Sequence, residues 1–269
     1  MRNVIIPERH LADMIESTFQ ILPRFGPRKE ASLWASGIRK WSDFIDADIV
    51  GNIKGEQKSR MDSQLNYAYD LLDCGDSIGL GSMLKPREHW RLYNRFRDSI
   101  GYLDIETDGL DRDSEVTVVT IHKKGDTITL INGEDLDSES ITDALRGVSM
   151  LVSFNGRCFD VPTLRCSFPD VDFDLPHFDL RFGCRDIGMS GGLKNIEKEI
   201  GLQRSDDIAE VDGFEAVRLW KRWRDNGDEE SLERLIEYNR ADTVNLETLA
   251  DTIYPRLVKE YAGFEEDIS

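Results

Sequence analysis

The stretch Gly101-Tyr102-Leu103-Asp104-Ile105-Glu106-Thr107-Asp108-Gly109-Leu110 constrains this chain more than any other. It is an apolar run that carries two carboxylates two residues apart and then breaks at a glycine. Side chains alternate along a β-strand, so Asp104 and Glu106 project from one face while Leu103 and Ile105 project from the other. Neighbouring carboxylates on a buried strand repel each other and lose hydration, and a cation, an arginine or solvent has to offset both costs. Mg²⁺ suits this role best, because it takes a few carboxylate oxygens together with waters and phosphate oxygens. From this stretch alone, an edge strand with both acids in water reads equally well.

Two further segments add weight to the first reading. Leu151 to Pro162 is an apolar, strand-like run followed by a glycine turn and a third carboxylate, Asp160, with Asn155 and Phe159 just before it. Near the C-terminus, Leu235 to Thr243 lies in a long helical pattern in which Tyr238 and Asp242 stand one turn apart on one face. Together, Asp-x-Glu on a strand, Asn-x-x-x-Phe-Asp after another and Tyr-x-x-x-Asp on a late helix resemble the three motifs of the DEDD exonucleases, tyrosine subtype, of the ribonuclease H-like superfamily. Each motif is weak alone, and the three in this order are specific. The resemblance covers about residues 99–255. Within it, Gly192-Leu193-Lys194-Asn195-Ile196-Glu197, together with the basic segment before the domain, looks closest to the predicted exonucleases of the YprB type.

The resemblance implies an α/β fold: a ribonuclease H-like mixed five-stranded sheet flanked by helices, preceded by a mainly helical N-terminal region. It implies a 3′-to-5′ exonuclease that hydrolyses phosphodiester bonds of single-stranded DNA or RNA at 3′ ends. Asp104, Glu106, Asp160 and Asp242 would bind two divalent cations, Mg²⁺ or Mn²⁺, and Tyr238 would position the attacking water. A phenol with a free pKa near 10 is a poor base. Sister enzymes use histidine there, and no histidine follows His177. By the same resemblance, Thr107, Gly109 and Leu110 would hold the terminal nucleotide, and Asn155 and Phe159 would line the strand's path. A turn glycine, a core leucine and a core phenylalanine are the plainer readings of Gly109, Leu110 and Phe159. A nucleic-acid-binding adaptor on a decayed nuclease fold and a structure-directed endonuclease are the competing functions.

Composition sharpens the division of the chain. Of 269 residues, 39% are hydrophobic, enough for a real core. No apolar run approaches the ~20 residues of a bilayer span, and Met1 to Pro7 is too short for a signal peptide, so a soluble, cytoplasmic protein is expected. The four cysteines show no C-x-x-C pair and read as reduced, mostly packed thiols. The net charge of −18 runs against phosphate binding, yet it is unevenly spread: residues 1–100 carry 15 Lys+Arg against 14 Asp+Glu, and the remainder carries the rest of the acidity.

The expected organisation is a helical region over 1–98 and the nuclease domain over 99–269. Arg9 to Gln20 has a helical stripe of Leu11, Met14, Ile15 and Phe19. A Pro/Gly turn follows, then a second helical pattern from Leu33 to Phe44 with cations before it. This resembles a helix-hairpin-helix module, in which backbone N–H groups bind a phosphate, although Arg24 replaces the usual first hairpin glycine. A helical pair whose charges only solvate it carries equal weight. Lys85 to Arg97 interleaves aromatics with arginines, which suits single-strand contact; Trp90, Tyr93 and Phe96 also follow the helical spacing of a core face, the favoured reading. Beyond residue 99 the pattern predicts strands at 115–121, 127–131 and 148–154 and helices at 138–146, 160–167, 192–201, 213–224 and 228–261.

Overall fold

The computed structural model describes residues 13–109, 114–202 and 211–263. Its sheet grows from β1 (Ile100–Thr107). Strand β2 (Val116–Lys123) pairs antiparallel with β1, and β3 (Asp126–Ile131) pairs antiparallel with β2. The hairpin between them turns at Lys124 and Gly125, both in the left-handed region with φ of 51° and 82°. Strands β4 (Met150–Ser153) and β5 (His177–Asp179) add in parallel on the other side, giving the order β3-β2-β1-β4-β5. This is the expected mixed five-stranded ribonuclease H-like sheet, with β1 at its centre.

Alternation along β1 sorts its residues between two cores. Leu103 and Ile105 join a cluster with Val119, Ile121, Ile141 and Leu164 beneath the helices Ser138–Ala144 and Asp160–Ser167. Ile100 and Tyr102 face the opposite layer, built by the 34-residue helix Glu229–Ala262 and the N-terminal region. That second cluster runs without a break from Met14, Phe19 and Trp41 to Leu246, Ile253 and Leu257. The residues before β1 therefore share one core with the C-terminal helix.

The N-terminal region departs from its expected pattern at its start. Residues 9–12 of the expected first helix lie outside the described residues, and the remainder forms only a single 3-10 turn, Ile15–Ser17. Other groups take the hydrogen bonds a helix would have used. The Glu30 carboxylate accepts from Thr18 Oγ1 (2.7 Å) and the Phe19 N–H (2.8 Å), while the indoles of Trp34 and Trp41 donate to the Ser17 and Thr18 carbonyls. The second expected helix divides into Pro27–Ala35 and Trp41–Asp46, broken at Gly37, whose φ is 91°. Arg24 adopts φ 63°, so the turn forms with an arginine in the glycine's conformation. A 19-residue helix follows at Glu56–Cys74, then a short one at Ser77–Met83 and a 3-10 helix at Pro86–Leu92. Trp90, Tyr93 and Phe96 are buried, as the core reading of that stretch expects. Of the cysteines only Cys184 is buried, and Cys74, Cys158 and Cys166 are exposed, against the expectation of packed thiols. No helix among the described residues is long and apolar enough to cross a membrane.

Two histidines stitch this region to the sheet. His89 Nε2 lies 3.1 Å from the Gly81 carbonyl, and its Nδ1 accepts from the His177 N–H at 3.1 Å, an arrangement only the neutral ring can make. Burial pushes His89 down to about 4. An unfolded histidine titrates near 6.5, so the unfolded chain takes up this proton first, and the stabilisation is lost as pH falls from about 6.5 toward 4. Thermal melts of wild type and His89→Gln should therefore show a gap that is largest at neutral pH and narrows by about 2 kcal/mol on acidification. A gap independent of pH would mean that the ring is not held neutral.

Candidate functional site

Three chain segments bring the five expected polar residues to one cavity of about 840 Å³. Strand β1 presents Asp104 and Glu106 toward the C-terminal helix, opposite Thr120 and Val118 of β2, and its register slips just after Glu106. The turn after β4 delivers Asp160 at the first position of the helix Asp160–Ser167. The C-terminal helix supplies Tyr238 and Asp242 from one face, with Leu235 and Leu246 continuing that stripe into the core. Asp160, Tyr238 and Asp242 are buried.

The turn that carries Asp160 is held from two sides. Asp179, at the end of β5, accepts from the backbone N–H groups of Asn155 (2.8 Å), Arg157 (3.1 Å) and Arg181 (3.1 Å). Ser153 Oγ accepts from the Gly156 N–H and lies 2.7 Å from His177 Nε2. Asn155 has φ 70°, and Gly156 has no room for a side chain, since a Cβ there would stand 2.3 Å from Ser153 Oγ. Asn155 thereby faces the cavity, where its Oδ1 accepts from Arg181 Nη1 at 2.6 Å.

The electrostatics are those of acids crowded together. Burial, followed by the charges of Asp242 and Asp160, holds Glu106 well above the usual carboxylate range. Burial likewise pushes Asp160 up to about 7, with Asp179 adding to it. Tyr238 is raised far above an ordinary phenol by burial and by Asp242, Glu106 and Asp104, so it keeps its proton at any working pH. Its ring lies 5.5 Å from the Lys194 ammonium.

The donor set fits a hard divalent cation in chemistry: all oxygen, anionic, largely withdrawn from water, and destabilised by mutual repulsion that a cation would relieve. Among the described residues no three His, Cys, Asp or Glu side chains stand at ligating spacing, so the carboxylates share a cavity wall without being drawn together. Asp104 Oδ2 instead accepts from Asn239 Nδ2 at 2.7 Å.

Of the residues expected to contact substrate, Asn155 and Phe159 line the cavity. Thr107 is buried with its hydroxyl donating to the Gly109 carbonyl at 2.6 Å, and neither residue lines the cavity. Leu110 lies outside the described residues. Sequence reasoning missed Asn239, which is fully buried, bonds Asp104 and also lowers Glu106. The signal was available, since Asn239 stands three residues before Asp242 on the same helix and so borders the same face. It also missed Arg181, Phe182 and Arg185, which line the cavity wall from the helix Leu180–Asp186.

A family model described as RNase_H superfamily matches residues 101–254, more than half of the chain. No curated protein matches. Among solved structures, the family B DNA polymerase from the hyperthermophilic archaeon Pyrobaculum calidifontis is similar with a TM-score of 0.48 and 16% identity. That similarity covers 61% of this chain and 27% of the polymerase's chain.

Proposed function

The chain belongs to the RNase H superfamily, and from that premise we propose that it is a metal-dependent 3′-to-5′ exonuclease of the tyrosine subtype acting on single-stranded DNA or RNA. One observation carries the reading: Asp104, Glu106, Asp160, Tyr238 and Asp242, distant in sequence, line a single cavity at the centre of the sheet. Asp104, Glu106, Asp160 and Asp242 would hold the Mg²⁺ or Mn²⁺ ions. The chemistry such cations supply is Lewis acidity toward a water and toward the departing 3′-oxygen.

The remaining work falls to the chain's own side chains. Tyr238 keeps its phenolic proton in this surrounding, so it acts as a hydrogen-bond donor that orients the attacking water and not as its base. Asn239 fixes the Asp104 carboxylate and so sets the direction from which it can meet a cation. Arg181, held by Asn155, places a guanidinium on the same wall, where it can meet a phosphate oxygen and offset part of the acidic field.

Strands labelled at the 5′ or the 3′ end and incubated with Mg²⁺, Mn²⁺ or chelator test this reading. The expected result is a ladder shortening from the 3′ end, mononucleotides released from the 3′ label at once, and no reaction in chelator. Internal cuts as first products would favour the endonuclease, and binding without any cation-dependent hydrolysis would favour the adaptor.

A further inference from the structure

Two further cavities adjoin the carboxylate site in sequence, across the junction with the N-terminal region. The carboxylate cavity shares Cys158, Phe182 and Arg185 with a neighbour of about 520 Å³. That neighbour in turn shares Pro86, Arg157 and His177 with a third of about 650 Å³. The three lie side by side on shared wall residues, with acids at one end and cations along the rest. The second and third are lined by Lys85, Arg87, Arg157, Arg165 and Arg185 against Asp174, Asp179 and Asp186. This local excess of positive charge stands out in a chain of net −18.

The pairing of these cations is uneven in an informative way. Arg87 reaches Asp186 at 3.4 Å, and Arg165 pairs with Asp174. Among the described residues Lys85, Arg157 and Arg185 make no ion pair, although the surrounding chain has acids to spare. Arg157 is half-buried where the second and third cavities meet, three residues before Asp160. Arg185 lies 5.1 Å over the Phe182 ring, a flat cationic surface of the kind on which a base can stack.

Resting on the exonuclease reading, we infer that the single strand whose 3′ end enters the carboxylate cavity runs along these cavities as one groove, its phosphates met by Arg157, Lys85 and Arg165 and a base stacked on Phe182 and Arg185. The N-terminal region, through Lys85 and Arg87, thereby builds one wall of the substrate path. The cationic cavities adjoin the acid cavity through Cys158, Phe182 and Arg185 and are charged oppositely to it, which is what a polyanion anchored at one end by cations requires.

The test is fluorescence anisotropy in chelator with 5′-fluorescein strands of about 4 to about 16 nucleotides, comparing wild type with a Lys85→Ala, Arg157→Ala, Arg165→Ala triple variant. Wild-type affinity should rise with strand length to a plateau and fall with salt. In the triple variant the length dependence should flatten, affinity for the longest strand should drop at least roughly tenfold at low salt, and the log–log salt slope should decrease by about 2, the sum of three single-strand phosphate contacts. Arg157→Gln alone should remove about 0.7 of that slope, and a charge-preserving Lys85→Arg, Arg157→Lys, Arg165→Lys variant should keep it. An unchanged slope and length dependence in both Arg157→Gln and the triple variant would overturn the groove. So would equal binding of a polyglutamate peptide of matched charge. Salt-dependent binding that the variants lose, without Mg²⁺-dependent hydrolysis by wild type, keeps the groove and removes the exonuclease; hydrolysis with binding unaltered in the variants does the reverse.

Discussion

Asp160→Asn is expected to lower Mg²⁺-dependent hydrolysis by about 10³-fold or more, on the order of 4 kcal/mol in the barrier, while making the metal-free protein more stable. Both effects have one cause. The Asp160 carboxyl is buried and titrates near 7 in the fold, whereas an unfolded aspartate titrates near 3.9. Folding therefore takes up protons between those values, and stability is lost as pH rises across that window. Asparagine keeps the shape without the charge. In chelator above pH 7 the variant should melt higher by about 1 to 2 kcal/mol, and at pH 4 the advantage should vanish. Mg²⁺ should raise the wild-type Tm by binding only the folded chain and leave the variant's nearly unmoved. A variant that still hydrolyses at the wild-type rate, or a wild-type Tm indifferent to Mg²⁺, would sink the carboxylate site.

The largest loss of stability is expected far from the cavity, at Arg91. Its side chain is fully buried, with Nη2 donating to Glu30 at 3.0 Å, Nε to Glu88 at 2.8 Å, and the guanidinium 5.1 Å from the Trp90 ring centroid. Among the described residues, Arg91→Ala leaves the buried Glu30, which also accepts from Thr18, Phe19 and Gln20, without a cation, and leaves the buried Glu88 only the longer contact to Arg87 at 3.4 Å. Breaking a buried ion network in this way costs about 3 to 5 kcal/mol, roughly 10 °C or more in Tm for a chain of this size. Arg91→Lys should recover only part, because an ammonium cannot fork to both acids. Combining Arg91→Met with Glu30→Gln and Glu88→Gln should recover most of it, since no charge is then left unpaired. A single Arg91→Ala variant that melts within about 1 kcal/mol of wild type would show that water reaches this network. The same cluster packs the N-terminal region against Tyr254 and Tyr261 of the helix that carries Tyr238 and Asp242, so its loss should also loosen the cavity.

Periodicity and spacing sufficed for most local elements described beyond residue 99, though not for β5 or the helix Leu180–Asp186 that follows it. The two-residue alternation of β1, the Lys123 to Asp126 hairpin and the Tyr238–Asp242 turn are decided by neighbours within a few positions, and the structure forms each where the pattern places it. The N-terminal stripe failed for the opposite reason. Met14, Ile15 and Phe19 are buried as a helical face would be, yet Glu30, Trp34 and Trp41 claim the backbone groups between them, and those partners are fixed by packing.

What the sequence determined by itself was the identity and order of the acids, the tyrosine and the strands and helices that bear them, because alternation and helical spacing are properties of a short piece of chain. Only the tertiary structure decided that these groups meet at one cavity, that Asn239 holds Asp104, and that Arg157 and Lys85 from distant segments line a neighbouring one. Those facts depend on which faces bury against one another across more than a hundred residues, and burial of apolar area is indifferent to sequence distance, so no local pattern records it.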